Sequence, residues 1–178
     1  MTIISCSYKK RVGKDTAFLL AKELYPHKNI IKIAFADALK DEIYELFLKP
    51  FNIERSYLDD DATKENLRPL MQAWGNARRE LINPSYWMDK AFEKINDPDA
   101  IYIITDCRYL NELKYIKSLG GTCLHIYRGF DDSTHLSEIE LDNHHDLFDY
   151  AIDNNGTLES YKEKLHTFFN WMESNGNF

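Results

Sequence analysis

The 178-residue chain is 44% hydrophobic and 29% charged, with a formal net charge of -7, which suits one domain with a substantial core. No apolar run approaches the roughly 18 residues of a membrane span, and the acidic balance argues against the basic face of a duplex-binding protein. Cys6, Cys107 and Cys123 have no metal-like spacing and sit in apolar contexts, so they are expected to be buried free thiols of a reducing compartment.

The first element is an apolar strand, MTIISC, followed by SYKKRVGKDT and a helical pattern from residue 14 to 25. Strand, loop ending in Gly-Lys, then helix is the layout of a phosphate cradle, with backbone N–H groups and a lysine around an anion. The pattern G-x-x-x-x-G-K-[ST] is broken at Tyr8 and at Asp15. The loop holds the only compact basic cluster, Lys9, Lys10, Arg11 and Lys14, which fits a small anionic ligand. A solvated basic turn is the plain alternative. Tyr8 is expected at negative φ with its ring turned away from the phosphates, since positive φ costs a tyrosine about 1–3 kcal/mol.

A second strand, IIKIAFA, leads to a helix from about Ala38 to Leu48, which Asp37 would cap. Lys40 lies one turn into it. Residues 50 to 62 read as irregular and acidic. Residues 63 to 82 read as a helix, and Pro84 opens another that runs to about Ile95. Arg68, Gln72, Arg78 and Arg79, with Trp74 and Trp87, mix forked donors with flat rings, the chemistry that holds phosphate and base. The same spacing also describes an amphipathic helix with solvated arginines and core tryptophans.

A third strand, IYIIT, ends in Asp106, with Arg108 two residues on; a carboxylate at that edge can hold magnesium or serve as a turn residue. Glu112, in the first turn of the next helix, either orients Arg108 or complements the helix dipole. That helix closes at Gly120-Gly121. A fourth strand, TCLHIY, precedes Arg128 and a polar stretch from 129 to 148, where an arginine could neutralise a transferring phosphoryl group. His135, His144 and His145 lie there without ligand spacing. A fifth strand, YAID, leads to the turn Asn154-Asn155-Gly156, the cap Thr157, and a last helix from Leu158 to Met172. Strands separated by helices imply an α/β fold with a parallel five-stranded sheet covered on both faces. In such a sheet ligands sit outside the C-terminal strand ends.

In this order, KKRVGKDT, FADALK, RPLMQAWG-x-x-RR with PSYW, TDCRYLNE, HLSE and DNNGTLE resemble the phage-type deoxynucleoside monophosphate kinases over nearly the whole chain. The resemblance implies a three-layer phosphate-loop kinase fold: a core of residues 1–48, 100–128 and 149–178, a helical monophosphate-binding region at 49–99 and a lid at 129–148. It implies transfer of the ATP γ-phosphoryl group to a deoxynucleoside monophosphate with Mg2+, in the cytoplasm, or in the host-cell cytoplasm for a viral protein. By that resemblance Lys10, Arg11, Val12, Gly13, Lys14, Asp15 and Thr16 bind ATP phosphates, and Asn154 and Gly156 flank the adenine. Asp37, Lys40, Arg68, Gln72, Trp74, Arg79 and Trp87 serve the acceptor, Asp15, Thr16 and Asp106 lie beside magnesium, and Lys14, Asp106, Arg108 and Arg128 act on the transferring group. Nucleic acid and membrane are not expected as partners; a homodimer is left open. Asp15 matches the Gly-Lys-Asp-Thr form of that family, whereas Tyr8 departs from it. Other readings are a dephospho-CoA kinase-like or adenylate kinase-like enzyme and an inactive nucleotide-binding homologue. The accepted base is not legible.

Overall fold

The structure is a computed structural model; it describes residues 1–7, 9–129 and 139–178, and the side chain of residue 61 is excepted. The expectations for Tyr8, His135 and the stretch HLSE lie outside the described residues. The chain divides into two compact units, Met1–Ile33 with Asn96–Phe178, and Ala34–Ile95.

The first unit is built on five parallel strands, β1 (Thr2–Ser7), β2 (Ile30–Ile33), β3 (Ile101–Cys107), β4 (Thr122–Tyr127) and β5 (Tyr150–Asp153), in the order β2-β3-β1-β4-β5. Among its described residues are the α-helices α1 (Lys14–Leu24), α5 (Leu110–Ser118) and α6 (Leu158–Ser174) and a 3-10 turn at His145–Leu147. Alternation along β1 sends Ile4 and Cys6 to one face, where they share a core with Leu20 and Ala21 of α1 and Leu165, Phe168 and Phe169 of α6. On the opposite face Ile3 of β1 and Ile116 of α5 both lie close to Gly121. The sheet is therefore covered on both faces, as the alternating pattern requires. β3, an interior strand flanked by β2 and β1, is buried along nearly its whole length and reads as a nearly continuous apolar run for that reason. All three cysteines are free and buried, as expected; burial pushes the Cys6 thiol up to about 12 and that of Cys123 up to about 11.

The second unit is helical: α2 (Phe35–Ile43), α3 (Asp61–Leu81) and α4 (Tyr86–Phe92), with a wider π-helical turn at Tyr44–Leu48 and tight 3-10 turns at Lys49–Phe51 and Arg55–Leu58. The sequence expects a strand through residue 36 and a helix from 38. Instead β2 stops at Ile33, α2 begins at Phe35 with Ala34 as its N-cap, and Asp37 sits inside the first turn rather than capping it. An apolar run of this length reads equally well as strand or helix, and the pairing of β2 with β3 ends at Ile33–Ile104. The contact boundary thus falls at Ala34, so α2 packs with the helical unit, whereas the sequence sets the functional boundary at 49. Leu39, Ile43, Leu48, Leu58, Leu67, Leu70, Met71 and Trp74 form the core of this unit. α3 is capped by Asp60, whose carboxylate accepts from the Thr63 N–H.

Candidate active site

The turn between β1 and α1 is shaped by glycine. Gly13 has φ +100° and a Cβ there would lie 2.5 Å from Asn154 Nδ2, so conformation and space both demand it. Arg11 is also left-handed, at φ 59°. Two side chains brace the turn from below: Asn154 Nδ2 donates to the Val12 carbonyl at 2.8 Å, and Tyr161 Oη donates to the Gly13 carbonyl at 3.0 Å. Tyr161 carries no sequence signature beyond an apolar position of α6, and the sequence misses its role. Asn154 is only 6% exposed and is committed to Val12, so it touches the loop from within. Behind the turn stands the N-terminus of α1, with N–H groups that no preceding turn satisfies.

Lys14 is the first residue of α1 and is buried; its Nζ donates to the Lys9 carbonyl. Burial, and then the charge of Arg108, lower its ammonium to about 8, against the opposing pull of Cys6, Asp106 and Asp15. The same interactions place Asp106 and Arg108, from the end of β3, within electrostatic reach of Lys14. The loop after β3 is held by carboxylates: Glu112 Oε2 accepts the N–H of Arg108 at 2.8 Å and of Tyr109 at 3.1 Å, and Glu140 Oε1 accepts that of Leu110 at 2.8 Å. Lys9 pairs with Asp142 at 2.7 Å.

Asp15 is exposed and pairs with Lys32 Nζ at 2.6 Å, while Thr16 is half-buried one residue further into α1. Lys10 and Arg11 are exposed and Val12 is buried. Arg128 is exposed just past β4, at the same C-terminal edge of the parallel sheet. Asn155 Oδ1 accepts the Gly129 N–H at 2.6 Å, joining the ends of β4 and β5, and Gly156 packs on Ser160. Among the described residues no three His, Cys, Asp or Glu gather as a metal site. Asp15, Thr16 and Asp106 are hard oxygen donors of the kind that suit Mg2+. His125 stacks on Phe148 at 4.9 Å and lies beside His145 at 5.3 Å; burial, with His145, lowers it to about 4.

In the helical unit, Arg68 and Gln72 are exposed on α3, with Arg68 bound to Glu65 at 2.5 Å; Arg79 is half-buried two turns on. Spacing of four and seven residues puts all three on one stripe. Lys40 pairs with Asp59 at 2.9 Å and with Asp37 at 3.5 Å. Burial opposes its charge, yet Asp59 and Asp37 hold it above the usual range. Trp87 is 2% exposed, and its indole donates to the Gly75 carbonyl at 3.0 Å, so this arrangement offers no face of it to an acceptor. The sequence gives no hint of Glu42. Its carboxylate receives Trp74 Nε1 at 3.1 Å, Tyr86 Oη at 2.9 Å and the guanidinium of Arg78, which stacks on Trp74 at 4.6 Å.

The family model described as phosphomevalonate kinase matches residues 6–122. A deoxynucleotide monophosphate kinase of Escherichia phage RB69 is 27% identical over 161 residues, which cover 85% of this chain and 63% of that protein. A protein provisionally given the same name in Acanthamoeba polyphaga mimivirus is 27% identical over 189 residues, covering 93% of this chain and 94% of that one. The chain thus spans less than two thirds of the phage relative and nearly all of the mimivirus one. The dephospho-CoA kinase of Campylobacter jejuni aligns with TM-score 0.50 and 15% identity over 99% of this chain and 98% of its own. The shikimate kinase of Aquifex aeolicus aligns with TM-score 0.50 and 16% identity over 98% of each. These two likenesses establish the fold.

Proposed function

This chain belongs to the phosphomevalonate kinase family, and from that premise we propose that it transfers the γ-phosphoryl group of ATP to a deoxynucleoside 5′-monophosphate, giving ADP and the diphosphate. The observation that carries this reading is the parallel pairing of β1 with β3, Ser7 opposite Cys107, which brings Lys14 behind a glycine-formed turn and Asp106 and Arg108 to the same C-terminal edge of the sheet. The names of the viral relatives support the acceptor class.

An oxygen of the acceptor phosphate attacks the γ-phosphorus, and the bond from that phosphorus to the β–γ bridging oxygen of ATP breaks. The acceptor is already an anion, so no strong general base is required. Catalysis is then positioning and charge stabilisation. We assign Lys14 and the backbone of residues 10–16 to the ATP phosphates, and Arg108 and Arg128 to the charge on the transferring group. Asp15, Thr16 and Asp106 would hold Mg2+, which would supply neutralisation of phosphate charge. The helical region around Arg68, Gln72, Trp74 and Arg79, with Asp37 and Lys40, takes the acceptor. Such an enzyme, with phage and mimivirus relatives, fits deoxynucleotide supply in an infected cell.

A coupled assay of ADP release with each of the four deoxynucleoside monophosphates tests this, with phosphomevalonate and dephospho-CoA as comparison acceptors. Acceptor-dependent turnover is expected, and Lys14→Ala should lower it about a thousandfold or more while leaving the melting curve cooperative. Preference for dephospho-CoA, or ATP binding without transfer to any acceptor, would overturn the reading.

A further inference from the structure

Glu112 is the one fully buried carboxylate among the described residues, 3% exposed. Burying a carboxylate is expensive unless donors surround it, so its partners indicate what it is for. A glutamate in the first turn of a helix ordinarily reaches back to the N-cap N–H, and Glu112 does so at Tyr109. The shorter bond, however, is the one to Arg108. That residue lies outside α5, and holding its peptide does nothing for helix termination. With Leu110 held by Glu140, three consecutive peptide N–H groups, 108 to 110, are fixed by carboxylates. The short connection from β3 to α5 is thereby set rigidly at the residue that bears the arginine.

We propose that Glu112 is the positioning residue for Arg108: by gripping the Arg108 peptide it aims the guanidinium at the phosphate cradle. The inference rests on the kinase reading above. The charge of Arg108 reaching Lys14 agrees with such an aim. Two details follow from the geometry. Both N–H groups converge on one oxygen, Oε2, so a glutamine amide oxygen can replace it. An alanine cannot.

The experiment is a double-mutant cycle on the full chain, with kcat, KM for ATP and melting temperature measured for each variant. Arg108→Ala should lower kcat about a hundredfold or more. Glu112→Ala should lower kcat about tenfold with KM for ATP within about twofold, a split that marks an interaction made in the transition state. Glu112→Gln should recover kcat to within about threefold of wild type, since its amide oxygen keeps an acceptor in place. In the Arg108→Ala background, Glu112→Ala should lower kcat no further, although it lowers the melting temperature as much as in wild type. Equal kcat losses in both backgrounds would overturn the proposal, because a residue that only supports the fold acts independently of Arg108. If Glu112→Ala does not fold, Glu112→Asp replaces it in the same cycle, with the same two outcomes. Wild-type protein that phosphorylates no acceptor would instead bring down the kinase reading itself.

Discussion

Lys14 shows how much a single residue's surroundings decide. The sequence identifies it from Gly-Lys between strand and helix, but not that it is buried with its ammonium lowered to about 8, mainly by burial and then by Arg108. Because the folded value lies below that of an exposed lysine, the unfolded chain binds more protons between about pH 8 and 10.5. The destabilisation from the buried charge is complete below pH 8 and disappears as pH rises through 10.5. Lys14→Met should therefore gain stability over wild type at pH 7, and denaturant titrations should show that gain fading across this window. Triphosphate charge favours the ammonium, so ATP binding at pH 8.5 should take up a fraction of a proton and at pH 6.5 none through Lys14; calorimetry in buffers of different ionisation heat measures it. Tyr161 is a second case. Removing its hydroxyl in Tyr161→Phe deprives the Gly13 carbonyl of one donor. The change should cost about 1 kcal/mol in denaturant unfolding and raise KM for ATP with little effect on KM for the acceptor. The departure at Tyr8 lies outside the described residues, whereas that at Asp15 acquires a partner, Lys32.

At the scale of elements, the strands and long helices were legible and their edges were not. β4 and β5 occupy the apolar runs TCLHIY and YAID, and α3 spans nearly the stretch read as helical. The junction of β2 and α2 was misread because strand pairing, a property of the neighbour, ends β2 at Ile33. α3 contains Gly75, buried in mid-helix, and a Cβ there would meet only ordinary contacts at 3.5–3.9 Å. Glycine in a helix interior costs about 0.5–1 kcal/mol relative to alanine. Gly75→Ala should accordingly raise the unfolding free energy by about that amount, and a drop in thermal stability would show that the niche beside Leu39 and Trp87 is tighter than this. The three helices of the second unit converge on Glu42. Glu42→Ala strands the partly buried Arg78 and two further donors, and should destabilise by about 2–3 kcal/mol; loss of less than about 0.5 kcal/mol would demote the cluster to a surface ion pair.

At the scale of the whole molecule, a ligand that binds only the folded state stabilises it by mass action. ATP with Mg2+ at about a hundred times its dissociation constant adds about 2.7 kcal/mol, and so should raise the melting temperature by about 5–10 °C in a chain of this size. The shift should vanish in Lys14→Ala; an equal shift there would place the nucleotide elsewhere. The sequence by itself determined the α/β class, the five strands, the buried thiols and the position of the phosphate loop. These follow from hydrophobic periodicity and from glycine and lysine at fixed offsets, which are local properties of the chain. Only the tertiary structure decided that Asn154 and Tyr161 brace the loop, that Glu112 holds the peptide of Arg108, that Trp87 is core, and that Glu42 is the hub of the helical unit. Each of those roles depends on a partner distant in sequence or on burial, and the desolvation and hydrogen bonding that create it exist only once the chain has folded.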